Sequence, residues 1–253
     1  MATETDRNVY ARPYAGAGSA TAAEIDVGLR QYMLRVYNYM ASGLFLSGLV
    51  AMLVANNETL LGMFFQQTAS GRVSYTGLGL IAVFAPIGLI LAMSFGASRM
   101  KAGTLQAIYW AFVATMGVSL ASVLLLYTGV SVARVFFITA ISFGGLSLFG
   151  YLTKRDLSGM STFLMMGLIG LVVASLVNMF LKSTGMQFVM SAVGVLLFAA
   201  MTAYDTQKIK NTYFYAGQGT MAEHSAIMGA VTLYLDFINL FQFLLYFLGG
   251  RRE

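Results

Sequence analysis

The chain has 253 residues, 58% of them hydrophobic and only 10% charged, with a formal net charge of +5. Soluble domains carry about 25% charged residues, so the composition excludes an ordinary soluble domain and points to an all-α integral membrane protein. There is no cysteine, which excludes disulfides, thiolate metal sites and cysteine nucleophiles, and a single histidine, His224, cannot build a multi-histidine metal site.

Residues 1–30 are polar, mix both charge signs and carry no cleavable signal peptide; they are expected to form a mobile cytoplasmic tail. Residues 31–250 then read as a membrane domain, and residues 251–253 as a short C-terminal tail. A helix needs about 20 mostly apolar residues to cross the hydrocarbon core. Seven runs qualify: 36–55, 77–95, 105–127, 135–153, 160–181, 185–204 and 226–248. They lack the period-2 alternation of barrel strands. Helix is the form that satisfies each backbone polar group within its own segment.

The connections are short. The longest, 56–76, holds an apolar patch at 60–65 that is too brief to span and is expected to lie at the interface. His224 falls in the 205–225 connection and reads as a loop residue. With seven spans, one side of the membrane carries ten Lys and Arg residues and the other five. The positive-inside rule therefore places the N-terminus in the cytoplasm and the C-terminus outside. Arg251 and Arg252 pull the other way, and a re-entrant last helix would return the C-terminus to the cytoplasm. The basic excess is a topology signal here, not a nucleic-acid footprint.

Eight of the ten carboxylates lie in the tail, in connections or at the C-terminal residue. The exceptions are Asp205, at the end of the sixth run, and Asp236, inside the seventh. An aspartate at the centre of a membrane helix costs roughly 2.5–3.5 kcal/mol even on lenient insertion scales. The two runs are antiparallel neighbours, so the depths of the acids overlap, with Asp205 one or two turns shallower unless its helix continues past Lys208. Two carboxylates in contact in such a medium share a proton and titrate as a unit. Once ionised they repel each other, and they offer hard oxygen ligands to a cation such as Ca²⁺. Asn239 and Gln242 follow Asp236 at about one-turn steps and extend a polar stripe that could line a wet path. The bland alternatives are an interfacial Asp205 paired with Lys208 and a neutral, hydrogen-bonded Asp236 joining helices.

At these residues the chain becomes recognisable. Tyr-Asp-Thr-Gln-Lys-Ile at 204–209 and Leu-Tyr-Leu-Asp-Phe-Ile-Asn-Leu-Phe at 233–241 resemble the bacterial branch of the Bax inhibitor-1, or transmembrane Bax inhibitor motif, family. So do Val-Tyr-Asn-Tyr-Met-Ala-Ser-Gly-Leu at 36–44 and Thr-Lys-Arg-Asp-Leu-Ser at 153–158. The resemblance implies two layers of three helices around a central C-terminal seventh helix. It also implies a pH-sensitive calcium leak gated by an aspartate pair, which maps onto Asp205 and Asp236. Some members latch the first of these acids with a basic residue at the end of the second span. Arg99, in Ala-Ser-Arg-Met-Lys at 97–101, is the candidate, although the match is offset.

The leading expectation is therefore a passive, pH-gated calcium leak in a bacterial cytoplasmic (inner) membrane, with calcium as the transported ion and no cofactor. A proton-coupled cation antiporter using the same acids is the second reading. A third is an interaction protein that modulates membrane proteases or other membrane proteins. No enzyme is expected, for no nucleophile elbow and no phosphate-binding loop is present. An intramembrane aspartyl protease would need a Gly-x-Gly-Asp setting that Leu235-Asp236-Phe237 does not provide.

Overall fold

Seven helices among the described residues are long and apolar enough to cross a membrane, one for each predicted run. The structure, a computed structural model, describes residues 22–67, 73–97, 99–216 and 220–250. The spanning helices are α1 (Ala22–Asn56), α3 (Gly77–Gly96), α4 (Ala102–Leu126), α5 (Gly129–Leu152), α6 (Ser161–Leu181), α7 (Thr184–Ala216) and α8 (Thr220–Leu248). A single 3-10 turn, Ser158–Met160, leads into α6. The 56–76 connection is more structured than expected. It holds a short helix, α2 (Glu58–Phe64), with no buried residue, as suits an interfacial segment. A small antiparallel hairpin follows, β1 (Phe65–Gln67) paired with β2 (Val73–Tyr75).

The helix starts follow local chemistry. Asn57, Thr76 and Thr128 each cap a helix by accepting a backbone N–H three residues on, at 3.1, 3.0 and 3.3 Å. Helix α6 ends at Lys182 in the left-handed region, with φ 50°, and the Asn178 side chain accepts the Ser183 N–H at 3.0 Å. Pro86 sits inside α3 and leaves the Ala82 carbonyl without its helical donor. Ser119 of α4 donates its hydroxyl to that carbonyl at 3.3 Å. A neighbouring helix thus satisfies the group that proline exposes, as a membrane interior requires.

Three helices outrun their apolar stretches. Helix α1 begins at Ala22, so the expected boundary at residue 30 falls inside a helix. The tail before it and residues 251–253 lie outside the described residues. Helix α7 continues twelve residues beyond the predicted end at 204, and α8 begins six before 226. Hydropathy reports only the part of a helix that sits in hydrocarbon. These extensions are held by packing instead: Leu29, Tyr32 and Met33 are buried on α1, and Ile209 of α7 lies against Gly229 of α8. His224 is consequently helical, near the start of α8, and not a loop residue. Helix α8 is continuous over 29 residues, about 43 Å long, more than the hydrocarbon core requires of a spanning helix.

Helices α1, α3 and α4 pack together as one layer, and α5, α6 and α7 as another. Helix α8 lies between the layers and touches α1, α4, α5 and α7. Its most apolar window is 56% buried, against 11% for α6, so α8 is the core of the bundle and α6 its lipid-facing rim. This is the arrangement expected from the resemblance. Hydroxyl groups tie the core helices together. Ser47 of α1 donates to the Val113 carbonyl of α4 at 2.6 Å, and Tyr234 of α8 donates to Ser47 at 2.7 Å. Phe112 meets Tyr234 edge to face at 5.3 Å between ring centres.

Candidate functional site

The two aspartates meet. The Asp205 and Asp236 carboxyls stand within hydrogen-bonding reach of each other, one from α7 and one from α8. Asp205 is 6% exposed and Asp236 2%. Asp236 Oδ2 receives no hydrogen from any other group among the described residues. An interfacial, headgroup-solvated Asp205 is therefore not what the structure places here. The continuation of α7 past Lys208 puts Asp205 about 16 Å inside the helix end.

Close packing on either side of the pair keeps α7 and α8 in register. Toward the α7–α8 connection, Gly229 lets Ile209 approach. Toward the other end, Gly194 accepts the ring of Phe243, which a Cβ at that position would strike at 2.6 Å. Glycine serves both positions because it has no side chain to hold the helices apart.

The pair faces a cavity of about 610 Å³ between α6, α7 and α8. Helix α6 packs on α7 and stands off from α8, and the space between them is this cavity. Thr232, Asn239 and Ser175 of α6 share its wall with the acids, and the remaining lining is apolar, including Leu168, Leu171 and Phe198. Asn239 donates Nδ2 to the Leu235 carbonyl at 2.8 Å, which leaves its Oδ1 as the free acceptor end. Gln242 does not line this cavity; Phe243 does. At about 100° per residue, six steps from Asp236 turn Gln242 some 120° off that face, whereas seven steps return close to it.

Arg99 is exposed in the turn after α3, a helix that packs on α4. Among the described residues no ion pair joins it to Asp205, so the expected latch is not formed. The cation whose charge reaches Asp205 is Lys208, one turn further along α7 and exposed, with Nζ 6.0 Å from the Tyr204 ring centre. His224 lies twelve residues from Asp236 along α8, about 18 Å away, and takes no part in the pair.

Sequence reasoning missed the polar side chains on the opposite side of α7. Thr206 donates to the Thr202 carbonyl at 2.7 Å, Ser147 of α5 donates to Thr206 at 2.9 Å, and Tyr37 of α1 donates to Ser147 at 2.7 Å. This chain of hydroxyls ties α1, α5 and α7 beside Asp205. Gln207 is 9% exposed and holds the α5–α6 connection by both ends of its amide: Nε2 donates to the Arg155 carbonyl and Oε1 accepts from the Leu157 N–H, each at 2.8 Å. Lys210 donates to the Tyr151 carbonyl at 2.8 Å, satisfying the end of α5. The signal was visible as Thr-Gln-Lys within a segment that a helix would have to bury, but the apolar run had ended at 204. In the same connection Asp156 accepts from the Ser158 N–H and hydroxyl at 2.9 and 2.8 Å. These donors hold its carboxyl below the ordinary carboxylate value.

The described residues contain no gathering of three or more His, Cys, Asp or Glu side chains. Ca²⁺ takes six to eight oxygens in a dedicated site. The two carboxyls, the Asn239 carboxamide oxygen and the Thr232 and Ser175 hydroxyls are the side-chain oxygens that this wall could offer a cation.

A family model described as "Inhibitor of apoptosis-promoting Bax1" matches residues 29–253. An uncharacterized protein of Rickettsia prowazekii is 47% identical over 228 residues, covering 90% of this chain and 93% of its own. An uncharacterized protein of Caulobacter vibrioides is 46% identical over 250 residues, covering 97% and 100%. The inner membrane protein YbhL of Escherichia coli is 40% identical over 227 residues, covering 89% and 94%. With the match running through all seven spanning helices and both aspartates, the chain belongs to the Bax inhibitor-1 family of membrane proteins.

Proposed function

We propose that this protein is a passive, pH-sensitive calcium leak of a bacterial inner membrane, with Asp205 and Asp236 as its proton-sensing gate. The inner-membrane placement is supported by the Escherichia coli relative, which carries that description in its name. The observation that carries the reading is the contact of two buried carboxyls on adjacent helices at the wall of a cavity.

While the pair holds a proton, a hydrogen bond joins α7 to α8 and the apolar walls above and below oppose passage of a hydrated ion. Loss of that proton replaces the bond with repulsion. Two unit charges about 4 Å apart interact by roughly 4 kcal/mol at an effective dielectric of about 20. A neutral hydrogen bond contributes about 1 kcal/mol net. Repulsion therefore dominates, α7 and α8 separate, and the two carboxylates attract a divalent cation to the gap.

The test is calcium flux from purified protein in liposomes across pH 5.5–8. Flux is expected to rise with pH, and Asp236→Asn to flatten the profile. An unaltered profile in that variant would sink the assignment. An imposed pH gradient is expected not to drive Ca²⁺ against its own gradient, which separates a leak from an antiporter.

A further inference from the structure

The two layers leave a furrow on the flank away from the aspartates. Helix α1 packs on α4 and α8, and α5 packs on α7 and α8. Between α1 and α5 a cavity of about 620 Å³ remains, walled by apolar side chains such as Met33, Leu44 and Phe143. Its polar floor atoms, the Tyr37 and Ser147 hydroxyls, bond to each other and so ask nothing of an occupant. Leu44 also borders a second apolar cavity of about 520 Å³ that continues along α1 to Asn56.

The first cavity runs from Arg30 to Leu44, fourteen residues of α1, or about 21 Å. A bilayer with its headgroups is about 40–45 Å thick, so this stretch spans one leaflet. Leu34 and Leu148, which line it, are 50% and 57% exposed, so its rim faces hydrocarbon. Positive charge stands at one end only. Arg30 lines the cavity there, and Tyr151 at the same end holds Lys210 by its carbonyl, with the ammonium also 5.2 Å from its ring centre. Among the residues whose side chains are described, from Val27 onward on α1, no carboxylate forms an ion pair with Arg30 or Lys210.

We propose that the furrow between α1 and α5 binds one anionic phospholipid, its phosphate at Arg30 and Lys210 and an acyl chain along Met33 to Leu44. The physical reasons are complementary. An apolar gap open to hydrocarbon is filled by the solvent around it, and that solvent is acyl chain. Basic residues between membrane helices at the headgroup level select anionic lipid.

Native mass spectrometry of the full chain tests this, with phosphatidylglycerol or phosphatidylcholine added to delipidated protein. One phosphatidylglycerol is expected to be retained in preference to phosphatidylcholine. Arg30→Gln with Lys210→Gln should weaken retention about tenfold, while Arg99→Gln leaves it unchanged. Gly144→Leu, which alters no charge but fills the furrow, should lower retention of both lipids. Equal retention of the two lipids, or retention indifferent to Gly144→Leu, overturns the proposal. So does a dimer that buries α1 and α5 in place of lipid. Should the double variant fail to fold, Arg30→Gln alone with Gly144→Leu still decides.

Discussion

Asp205 and Gln207, two residues apart, leave α7 on opposite sides. The carboxyl turns to Asp236 and the α6–α8 cavity, while the amide grips the α5–α6 connection at Arg155 and Leu157. Two helical steps rotate a side chain by about 200°, so one rigid turn of helix serves both contacts. Any displacement of α7 away from α8 is therefore felt in that connection.

Replacing Gln207 by Leu is expected to free the connection. It removes two hydrogen bonds and strands a backbone N–H and a carbonyl, at a cost of about 1–3 kcal/mol. Hydrogen exchange at the Leu157 amide should speed up, and trypsin should cut at Lys154 or Arg155 more readily. Unchanged protection there would show that the grip is not maintained in the membrane.

Asp236→Asn is expected to make stability insensitive to pH. In the wild type, ionisation of both acids sets like charges against each other across α7 and α8, so thermal stability should fall as pH rises. An asparagine carries no charge and can donate to Asp205, which holds the helices together at either pH. The difference at high pH should be about 1–3 kcal/mol in favour of the variant. Melting in detergent at pH 5.5 and pH 8 reads this directly.

Gly150→Val should disturb the site from behind. A Cβ at Gly150 runs into the Ala203 carbonyl, two residues before Asp205. Helices α5 and α7 must then move apart, at a cost of about 1–3 kcal/mol, and the Ser147–Thr206 hydrogen bond is strained. A lowered melting temperature together with a displaced pH profile of calcium flux is the expected result. Gly145→Val, where a Cβ meets open space outside the furrow, serves as the control.

Asp156 supplies a negative control for the proposed pH response. Its carboxyl is held below the ordinary value by the Ser158 N–H and hydroxyl. A group whose folded value is depressed contributes stability above its unfolded value, near 3.9, and loses it as pH falls through the lower folded value. Asp156 is thus ionised throughout pH 5.5–8, and Asp156→Asn should leave the flux profile in that window unshifted. Ser158→Ala should bring the Asp156 titration, followed by carboxyl NMR, back toward the ordinary value.

The number of spanning helices, the absence of cysteine chemistry and the two misplaced acids were all determined by the sequence alone. Each is a property of a segment taken by itself: a run is apolar enough for hydrocarbon or it is not, and an aspartate inside such a run is costly wherever the run goes. Contact between Asp205 and Asp236, the turning of Gln242 away from the cavity, the isolation of Arg99 and the grip of Gln207 were decided by tertiary structure. Those depend on the rotation of each helix about its axis and on how far it continues beyond the hydrocarbon. Packing at Gly150, Gly194 and Gly229 sets both, because side chains on a neighbouring helix select one rotation among many that hydropathy leaves equivalent.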